Sequence, residues 1–326
     1  MMHRPIISGS GMYVPTHIMT NDAIATLVDT SDAWIYERTG IRRRRVVAEG
    51  ETTSSLATFA AREALQAAGV PGSAIELTIV ATSMPDYGYP ATACLVQDAI
   101  GAQGGAFDLE AACSGFVYGL SIAASMIQVG AIQHAMVIGS EVYSRVLNWR
   151  DRKTCILFGD GAGAAVVSRA ATPGPDPVFT LGSDGSGGPL LVLPAGGIAE
   201  PAVSESTEPV GVRMNGPETF KFGVRILVDT ANHVMKAADL TPNDVDWLVP
   251  HQANQRIITA ATRKLGFEEG RVMSNIEEYG NTGAASIPIA LAEWAACGSL
   301  RRGQRVLMVG FGAGLTWAGG LMHWQE

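Results

Sequence analysis

The sequence is poor in charged and aromatic residues, and its cysteines are few and scattered. Charged residues make up 17% and aromatic residues 7% of the 326 positions, and acidic residues outnumber basic ones 31 to 23. The net charge of −8 excludes a generally basic surface, so we expect no nucleic acid partner. The cysteines lack CxxC spacing, so we expect neither a metal site nor a disulfide framework. They are Cys94, Cys113, Cys155 and Cys297.

Long apolar runs and the common nucleotide-binding motifs are also missing. Residues 1–15 contain no apolar segment long enough for a signal peptide or a membrane span, so we expect a cytoplasmic protein with no membrane partner. The segment Gly9 to Val14 fails the dinucleotide fingerprint at its last glycine, and no Walker lysine, HExxH or GxSxG pattern occurs. These absences argue against nicotinamide, nucleotide-hydrolysing, zinc protease and serine esterase chemistry.

What the sequence does have is an alternation of short apolar runs and helical stretches, with 47% hydrophobic residues and 38 glycines. Apolar runs bounded by glycine or proline are typical of buried strands. Such alternation predicts an α/β fold with largely parallel central strands. The predicted strands are 78–83, 135–139, 245–249 and 305–309.

A weak internal repeat divides the chain into two similar halves. Cys113 lies 29 residues after the predicted strand end at Met84, and Asn281 lies 30 residues after the strand end at His251. Each opens an apolar stretch that leads to a strand and a glycine-rich turn. We predict a duplicated fold with halves at 1–172 and 173–326, in which Cys113 and Asn281 occupy equivalent helix starts facing one centre. The segment 182–216 is predicted to be an extended loop.

Cys113 precedes an apolar stretch that predicts a buried central helix. Unpaired N–H groups and the helix dipole at such a start would lower the cysteine pKa from about 8.5 toward neutrality and make it a nucleophile. A small buried core residue is the alternative interpretation.

Two further polar residues have settings that permit catalysis, although each has a structural alternative. His251 directly follows an apolar strand, where a sheet presents functional groups, but a lone histidine is also common in structural roles. Asn281 lies between glycines in Tyr-Gly-Asn-Thr-Gly, which permits close approach of a ligand, yet the same pair is common in simple turns.

Taken together, the segments around these three residues resemble the signature motifs of β-ketoacyl-acyl carrier protein synthase III, a thiolase-superfamily family. The segments are EAACSGF at Cys113, HQANQRI at His251 and YGNTGAASIP at Asn281, with further matches at 30–41, 151–164 and 310–318. The resemblance implies a five-layered αβαβα thiolase-like fold of two duplicated halves, assembled as a homodimer.

The resemblance also implies a reaction and its partners. Cys113 would take the acyl group from an acyl-CoA, and malonyl-acyl carrier protein would then lose carbon dioxide and condense with the acyl-enzyme. His251 and Asn281 would stabilise the enolate, and the N–H groups of Cys113 and Ala313 would form a second oxyanion hole. Acyl-CoA is a substrate, and no cofactor is expected.

Further site residues are carried over from the same resemblance. The implied coenzyme A site consists of Trp34, Arg38, Arg152, Phe220 and Asn254, and the implied carrier-protein surface of Arg256, Arg263 and Lys264. The implied acyl pocket contains Tyr89, Phe311 and Leu315. Two departures from the family pattern are Ala313 with Leu315 in the C-terminal turn and Glu110, for which a structural role is favoured over opposition to thiolate formation.

Several alternatives remain open at this point. A related condensing enzyme or acyltransferase of a specialised lipid or secondary metabolite pathway would keep the cysteine chemistry and use a longer or unusual acyl-CoA. A type III polyketide synthase fits the motifs and the length less well. A non-catalytic partner subunit would lose the nucleophile, and a cysteine hydrolase would not explain the tryptophan and arginine motifs.

Overall fold

The computed structural model describes residues 2–194, 196–199 and 211–324, in which helices lie on and between two sheets. Its strands are β1 (Pro5–Tyr13), β2 (His17–Thr20), β3 (Arg43–Val46), β4 (Leu77–Ala81), β5 (Gly105–Leu109), β6 (His134–Glu141), β7 (Gly161–Arg169), β8 (Val178–Ser183), β9 (Leu191–Val192), β10 (Arg213–Met214), β11 (Trp247–Pro250), β12 (Arg305–Gly312) and β13 (Thr316–His323). Its α-helices are α1 (Asn21–Ala25), α2 (Asp32–Thr39), α3 (Thr53–Ala68), α4 (Thr92–Ala99), α5 (Gly115–Gln128), α6 (Gly216–Ala237), α7 (Gln255–Leu265), α8 (Ile276–Tyr279) and α9 (Ser286–Ala296).

The two large sheets are mixed. The first has the strand order β1-β7-β6-β4-β5, and the second has the order β11-β12-β13-β8. Strand β4 pairs in parallel with β5 and β6, and β11 pairs in parallel with β12, whereas the other neighbours are antiparallel. All four strands predicted from the apolar runs are present, but the expectation of largely parallel strands holds only around β4 and β11.

The elements form five layers. Helices α5 and α9 lie between the sheets and contact both, α3 covers the outer face of the first sheet, and α6 with α7 covers the outer face of the second. The two middle helices can be buried because apolar groups surround them: in α5 the side chains of Phe116, Leu120, Ala123 and Ile127 have no exposed surface.

The strands of the two sheets come from separate parts of the chain. The first sheet uses residues 5–169 and the second uses residues 178–323. This segregation supports the predicted halves 1–172 and 173–326, whose boundary remains a prediction. The segment 182–216 is not one loop, because it contains the end of β8, a 3₁₀ turn at Gly185–Leu190, β9 and β10; its residues 195 and 200–210 lie outside the described residues.

The predicted equivalence of Cys113 and Asn281 is inexact. Each middle helix begins one 3₁₀ turn later than expected, after Ala112–Ser114 for α5 and after Gly283–Ala285 for α9. Cys113 therefore lies inside its turn, whereas Asn281 lies two residues before the matching turn. The two turns contact each other, so both residues still face one centre. Within the described ranges, no helix is long and apolar enough to cross a membrane.

Candidate active site

Cys113 is held in a strained turn at the end of β5. Ala112 has a φ of 46°, a left-handed conformation that non-glycine residues rarely adopt and that often marks functional sites. The backbone N–H of Ala112 donates to Glu110 Oε1 at 2.9 Å, and Ser83 Oγ donates to the same oxygen at 3.1 Å. The Glu110 carboxylate thus stabilises the turn that presents the nucleophile, as the structural role predicts, and it also raises the pKa of Cys113, as the alternative predicts.

The last residues of β12 pass directly against this turn. An added Cβ at Gly312 would lie 2.7 Å from the backbone nitrogen of Cys113, and one at Gly310 would lie 2.8 Å from the Cα of Ser114. Glycine is required at both positions because the two backbones touch. This contact brings Ala313, the next residue, to the rim of the cavity that Cys113 lines.

The environment of Cys113 disfavours its thiolate. Burial, and after it the Glu141 carboxylate, raise the pKa of Cys113 to about 12; the Glu110 carboxylate adds to the increase and the hydroxyl of Tyr143 opposes it. Glu141 is itself fully buried and accepts hydrogen bonds from Ser83 N and Thr82 Oγ1. The predicted lowering of the cysteine pKa toward neutrality is wrong, because the thiol is buried, two carboxylates oppose its charge and the cysteine precedes α5 by two residues.

The high pKa makes the reactivity of Cys113 depend steeply on pH. The thiolate fraction of a group with a pKa of about 12 rises tenfold per unit throughout the neutral range. We therefore expect alkylation of Cys113 by iodoacetamide to accelerate about tenfold per unit from pH 7 to 9. Peptide mapping separates this signal from the exposed Cys94 and Cys297, and Cys113→Ser gives the background. A plateau below pH 9 would show an ordinary or activated thiol instead.

His251 is fixed at the end of β11 and points into the same centre. Its backbone N–H continues the strand pairing by donating to Val309 O at 2.8 Å, and its Nδ1 lies 2.8 Å from Ser286 Oγ. The ring of Phe311 packs against the imidazole with centroids 5.2 Å apart and planes at 75°. Burial lowers the pKa of His251 to about 3, so the imidazole is neutral at physiological pH.

Asn281 is clamped on both sides by the segment that ends in Gly159. Its N–H donates to Leu157 O at 2.8 Å, and its carbonyl accepts from Gly159 N at 3.0 Å. Its side-chain Oδ1 accepts from Gly283 N at 2.9 Å. Because a backbone N–H can only donate, the side-chain atom of Asn281 next to Gly283 N must be the amide oxygen. The Nδ2 group is therefore left for the cavity that Asn281 lines. Among the described residues, no acceptor binds that Nδ2 group.

A cavity of about 670 Å³ brings most of the predicted site together. Cys113, His251 and Asn281 all line it. The five residues predicted to bind coenzyme A line the same cavity, namely Trp34, Arg38, Arg152, Phe220 and Asn254. The guanidinium carbons of Arg38 and Arg152 lie 4.7 and 4.9 Å from the centre of a Trp34 ring, so cationic groups surround an aromatic surface at the entrance.

A second cavity, of about 1300 Å³, reaches Cys113 from the other side. Its walls include Glu110, Tyr143, Phe158 and Ala313. Of the residues that the structure describes, the walls of the two cavities share Cys113, Phe158 and Leu191 alone. The nucleophile therefore lies where two separate spaces meet.

The structure does not bring together the three residues predicted for the acyl pocket. Tyr89 lines the larger cavity but is 90% exposed, whereas Phe311 lines the smaller cavity beside His251. Leu315 lines neither cavity, because its side chain packs into the hydrophobic cluster on the outer face of the second sheet. Its assignment to the acyl pocket is therefore withdrawn.

The predicted carrier-protein surface lies on α7. Arg256, Arg263 and Lys264 are exposed on this helix, while its apolar side packs against α6. Arg256 also lines the smaller cavity, and its guanidinium carbon lies 5.7 Å from the centre of the Phe220 ring. The basic surface thus begins at the mouth of the cavity that leads to Cys113.

Three buried polar residues near the centre were not identified from the sequence. Ser286 bonds His251, whereas Glu141 and Tyr143 influence the pKa of Cys113. Glu141 and Tyr143 end β6 and begin the next turn, so a polar pair directly after an apolar strand was the available signal. Ser286 offered none, because a serine at a helix start is common.

Comparison with known proteins agrees with this arrangement. A family model described as "3-Oxoacyl-[acyl-carrier-protein (ACP)] synthase III" matches residues 107–185, and its C-terminal counterpart matches residues 235–324. The beta-ketoacyl-[acyl-carrier-protein] synthase III of Desulfitobacterium hafniense is 47% identical over 323 residues, with 98% of each chain covered. The chain belongs to the 3-oxoacyl-[acyl-carrier-protein] synthase III family. It is therefore an acyltransferase of the condensing type, as predicted.

Solved structures confirm the thiolase-like fold of this family member. The synthase III of Aquifex aeolicus VF5 superposes with a TM-score of 0.91 at 42% identity, covering 98% of this chain and 100% of that one. The priming β-ketosynthase from the R1128 polyketide biosynthetic pathway gives a TM-score of 0.92 at 35% identity, covering 100% and 97%. The synthases III of Desulfitobacterium hafniense and Aquifex aeolicus are both more similar in sequence to this chain than the priming β-ketosynthase is, which favours the predicted function over a specialised pathway.

Proposed function

We propose that this enzyme transfers an acyl group from acyl-CoA to Cys113 and condenses it with malonyl-acyl carrier protein to give a 3-oxoacyl-acyl carrier protein, initiating fatty acid synthesis. The names of the relatives given above support the carrier-bound substrate class. The meeting of two cavities at Cys113 carries the proposal, because a condensing enzyme must hold an acyl chain on one side of its nucleophile and admit a thioester from the other.

The first half-reaction is acyl transfer. The sulfur of Cys113 attacks the thioester carbon, the bond from that carbon to the coenzyme A sulfur breaks, and the cysteine proton ends on the released coenzyme A thiol. Negative charge develops on the thioester oxygen, which the backbone N–H groups of Cys113 and Ala313 would stabilise. The contact of Gly312 with Cys113 N supports this role, since it aligns the two backbones.

The second half-reaction is decarboxylative condensation. Loss of carbon dioxide from the malonyl group leaves an enolate, whose carbon attacks the acyl-cysteine while the sulfur of Cys113 departs as a thiolate and takes a proton from solvent. His251 and Asn281 would donate hydrogen bonds to the enolate oxygen. Their geometry supports this role, because the Asn281 amide presents its Nδ2 group and the His251 imidazole stays neutral. The reaction needs no cofactor or metal beyond its substrates.

Coenzyme A binding is assigned to the mouth of the smaller cavity. The Trp34 ring offers a stacking surface for the adenine, and Arg38 and Arg152 offer guanidinium donors for the phosphates. Phe220 and Asn254 line the passage between this mouth and Cys113. The carbonyl of Arg38 accepts a hydrogen bond from Asn254 Nδ2 at 3.1 Å, so the two sides of the passage are joined.

Two protein partners are proposed. The basic surface of Arg256, Arg263 and Lys264 would dock the acidic malonyl-acyl carrier protein, since it adjoins the cavity mouth despite the net charge of −8. A second copy of the chain would pair along β5, an edge strand of the first sheet. Exposed aromatic side chains near that edge support a homodimer; they are Tyr87, Tyr89 and Phe107.

The acyl-CoA that the enzyme prefers can be identified from the increase in mass of the acylated protein. We expect intact-protein mass spectrometry after incubation with acyl-CoAs from acetyl to dodecanoyl to show one acyl group per chain, with the preferred length set by the larger cavity. A short-chain preference supports initiation of fatty acid synthesis, and a long-chain preference supports the specialised alternative. An absence of adducts with the whole series would contradict the proposed function.

A further inference from the structure

The proposed reaction gives no function to the buried hydrogen bond between Ser286 and His251. Ser286 is the first residue of α9, and its Oγ lies 2.8 Å from Nδ1 of His251. Both residues are only 1% exposed, so water does not compete for this contact. A neutral imidazole carries one proton on either nitrogen, and the partner of Nδ1 decides which nitrogen holds it.

A second contact favours one direction of this hydrogen bond. The backbone N–H of Gln252 points at Ser286 Oγ from 3.3 Å, and a backbone N–H can only donate. The serine oxygen accepts there, so its own hydrogen is available to Nδ1. Within the described part of the chain, no other acceptor binds the Ser286 hydroxyl. Donation to Nδ1 is the one arrangement of these contacts that leaves the buried hydroxyl hydrogen bonded, which favours an unprotonated Nδ1.

The loop that supplies the Gln252 N–H is held rigidly. The side-chain amide of Gln252 donates to Pro250 O at 2.7 Å and to Met273 O at 3.1 Å. Its Oε1 accepts from Ser274 Oγ at 3.3 Å and from Asn275 N at 3.2 Å. With the buried amide bonded at both ends, the residue after His251 cannot turn its N–H away from Ser286 without breaking these bonds.

We infer that Ser286 is a positioning residue that keeps the proton of His251 on Nε2, so that the imidazole faces the substrate as a hydrogen-bond donor. This inference rests on the proposed function, because the donor acts on the malonyl thioester oxygen. It also excludes His251 as the base for Cys113, because in this tautomer Nε2 carries a proton and cannot accept another from the thiol. Ser286 is therefore required for condensation and dispensable for acyl transfer.

Nuclear magnetic resonance of ¹⁵N-histidine-labelled protein reads the tautomer directly. We expect the His251 signals of the free wild-type protein at pH 7 to show an unprotonated Nδ1 and a protonated Nε2. Comparison with His251→Asn identifies these signals among the six histidines. A protonated Nδ1 in the wild type would overturn the inference without any assay of activity.

The rates of acylation and condensation in two variants, Ser286→Ala and Ser286→Thr, test whether Ser286 is needed for condensation alone. In Ser286→Ala we expect a mixture of tautomers and a condensation kcat lower by about 10- to 100-fold, as when an orienting partner of a histidine is removed. The rate of Cys113 acylation should stay within about twofold. Ser286→Thr, which keeps the hydroxyl, should restore the wild-type tautomer and most of kcat.

Ser140→Ala is the matched control for a lost buried hydroxyl. Ser140 is fully buried, donates to Thr53 O at 2.9 Å and lines neither cavity, so its loss should lower stability without the kinetic split. Equal loss of acylation and condensation in Ser286→Ala, or an unchanged condensation rate, would contradict the inference. If the alanine variant does not fold, the wild-type tautomer and the threonine variant decide.

The result that would contradict the proposed function differs from those that would contradict the role of Ser286. A wild-type enzyme that is acylated at Cys113 and forms no 3-oxoacyl product would remove the proposed reaction, whatever the tautomer of His251.

Discussion

Cys113→Ala is expected to fold like the wild type and to acquire no acyl group from any acyl-CoA. Among the described residues, the sulfur of Cys113 is the one nucleophile that lines both cavities, so its removal leaves no such atom for the acyl group to join. The fold should survive because the variant loses one small buried atom, at a cost of about 1 kcal/mol. Intact-protein mass spectrometry measures the adduct, and circular dichroism with thermal unfolding checks the fold.

Cys155→Ala is the matched control for this experiment. Cys155 is also fully buried, and burial raises its pKa to about 11, but it lines neither cavity. We expect this variant to be acylated like the wild type. An adduct on Cys113→Ala, or its loss in Cys155→Ala, would remove the assignment of the nucleophile.

Asn281→Ala is expected to accept the acyl group normally and to condense it about 10²- to 10³-fold more slowly, the usual effect of removing one oxyanion donor. The amide is held by Gly283 N through its oxygen, which leaves its nitrogen available for the proposed hydrogen bond to the enolate oxygen. In the proposed reaction acyl transfer uses the other oxyanion hole, so its rate should change by less than about twofold. Single-turnover measurements of each half-reaction separate the two effects.

Asn275→Ala provides the comparison for a buried amide outside the cavities. Its Nδ2 donates to Glu293 at 2.9 Å, and it lines neither cavity. Its loss should lower the melting temperature and leave the ratio of the two half-reactions unchanged. If Asn281→Ala slows both half-reactions equally, the amide is structural and the proposed role is wrong.

The sequence was sufficient to identify site residues whose local surroundings are formed by neighbouring residues in the chain. His251 follows an apolar strand, and Asn281 lies in a glycine-flanked turn, so local pattern and family resemblance placed both at the site. The four predicted strands also exist, since short apolar runs between glycines and prolines determine them.

The errors arise where distant segments meet. The pKa of Cys113 depends on its burial and on Glu141, which belongs to β6, and a local motif reveals neither. Leu315 was assigned to the acyl pocket from its position in a motif, but its side chain packs into the hydrophobic cluster on the outer face of the second sheet. The tautomer of His251 depends on Ser286, 35 residues away in the chain.

The central claim, that one cysteine links the two half-reactions, is tested most directly by a chase experiment. The enzyme is first acylated at Cys113, freed of excess acyl-CoA and then mixed with malonyl-acyl carrier protein. We expect the acyl adduct to disappear as an equal amount of 3-oxoacyl-acyl carrier protein forms, both followed by mass spectrometry. An adduct that persists, or one released as the free acid without a carrier-bound product, would contradict the claim.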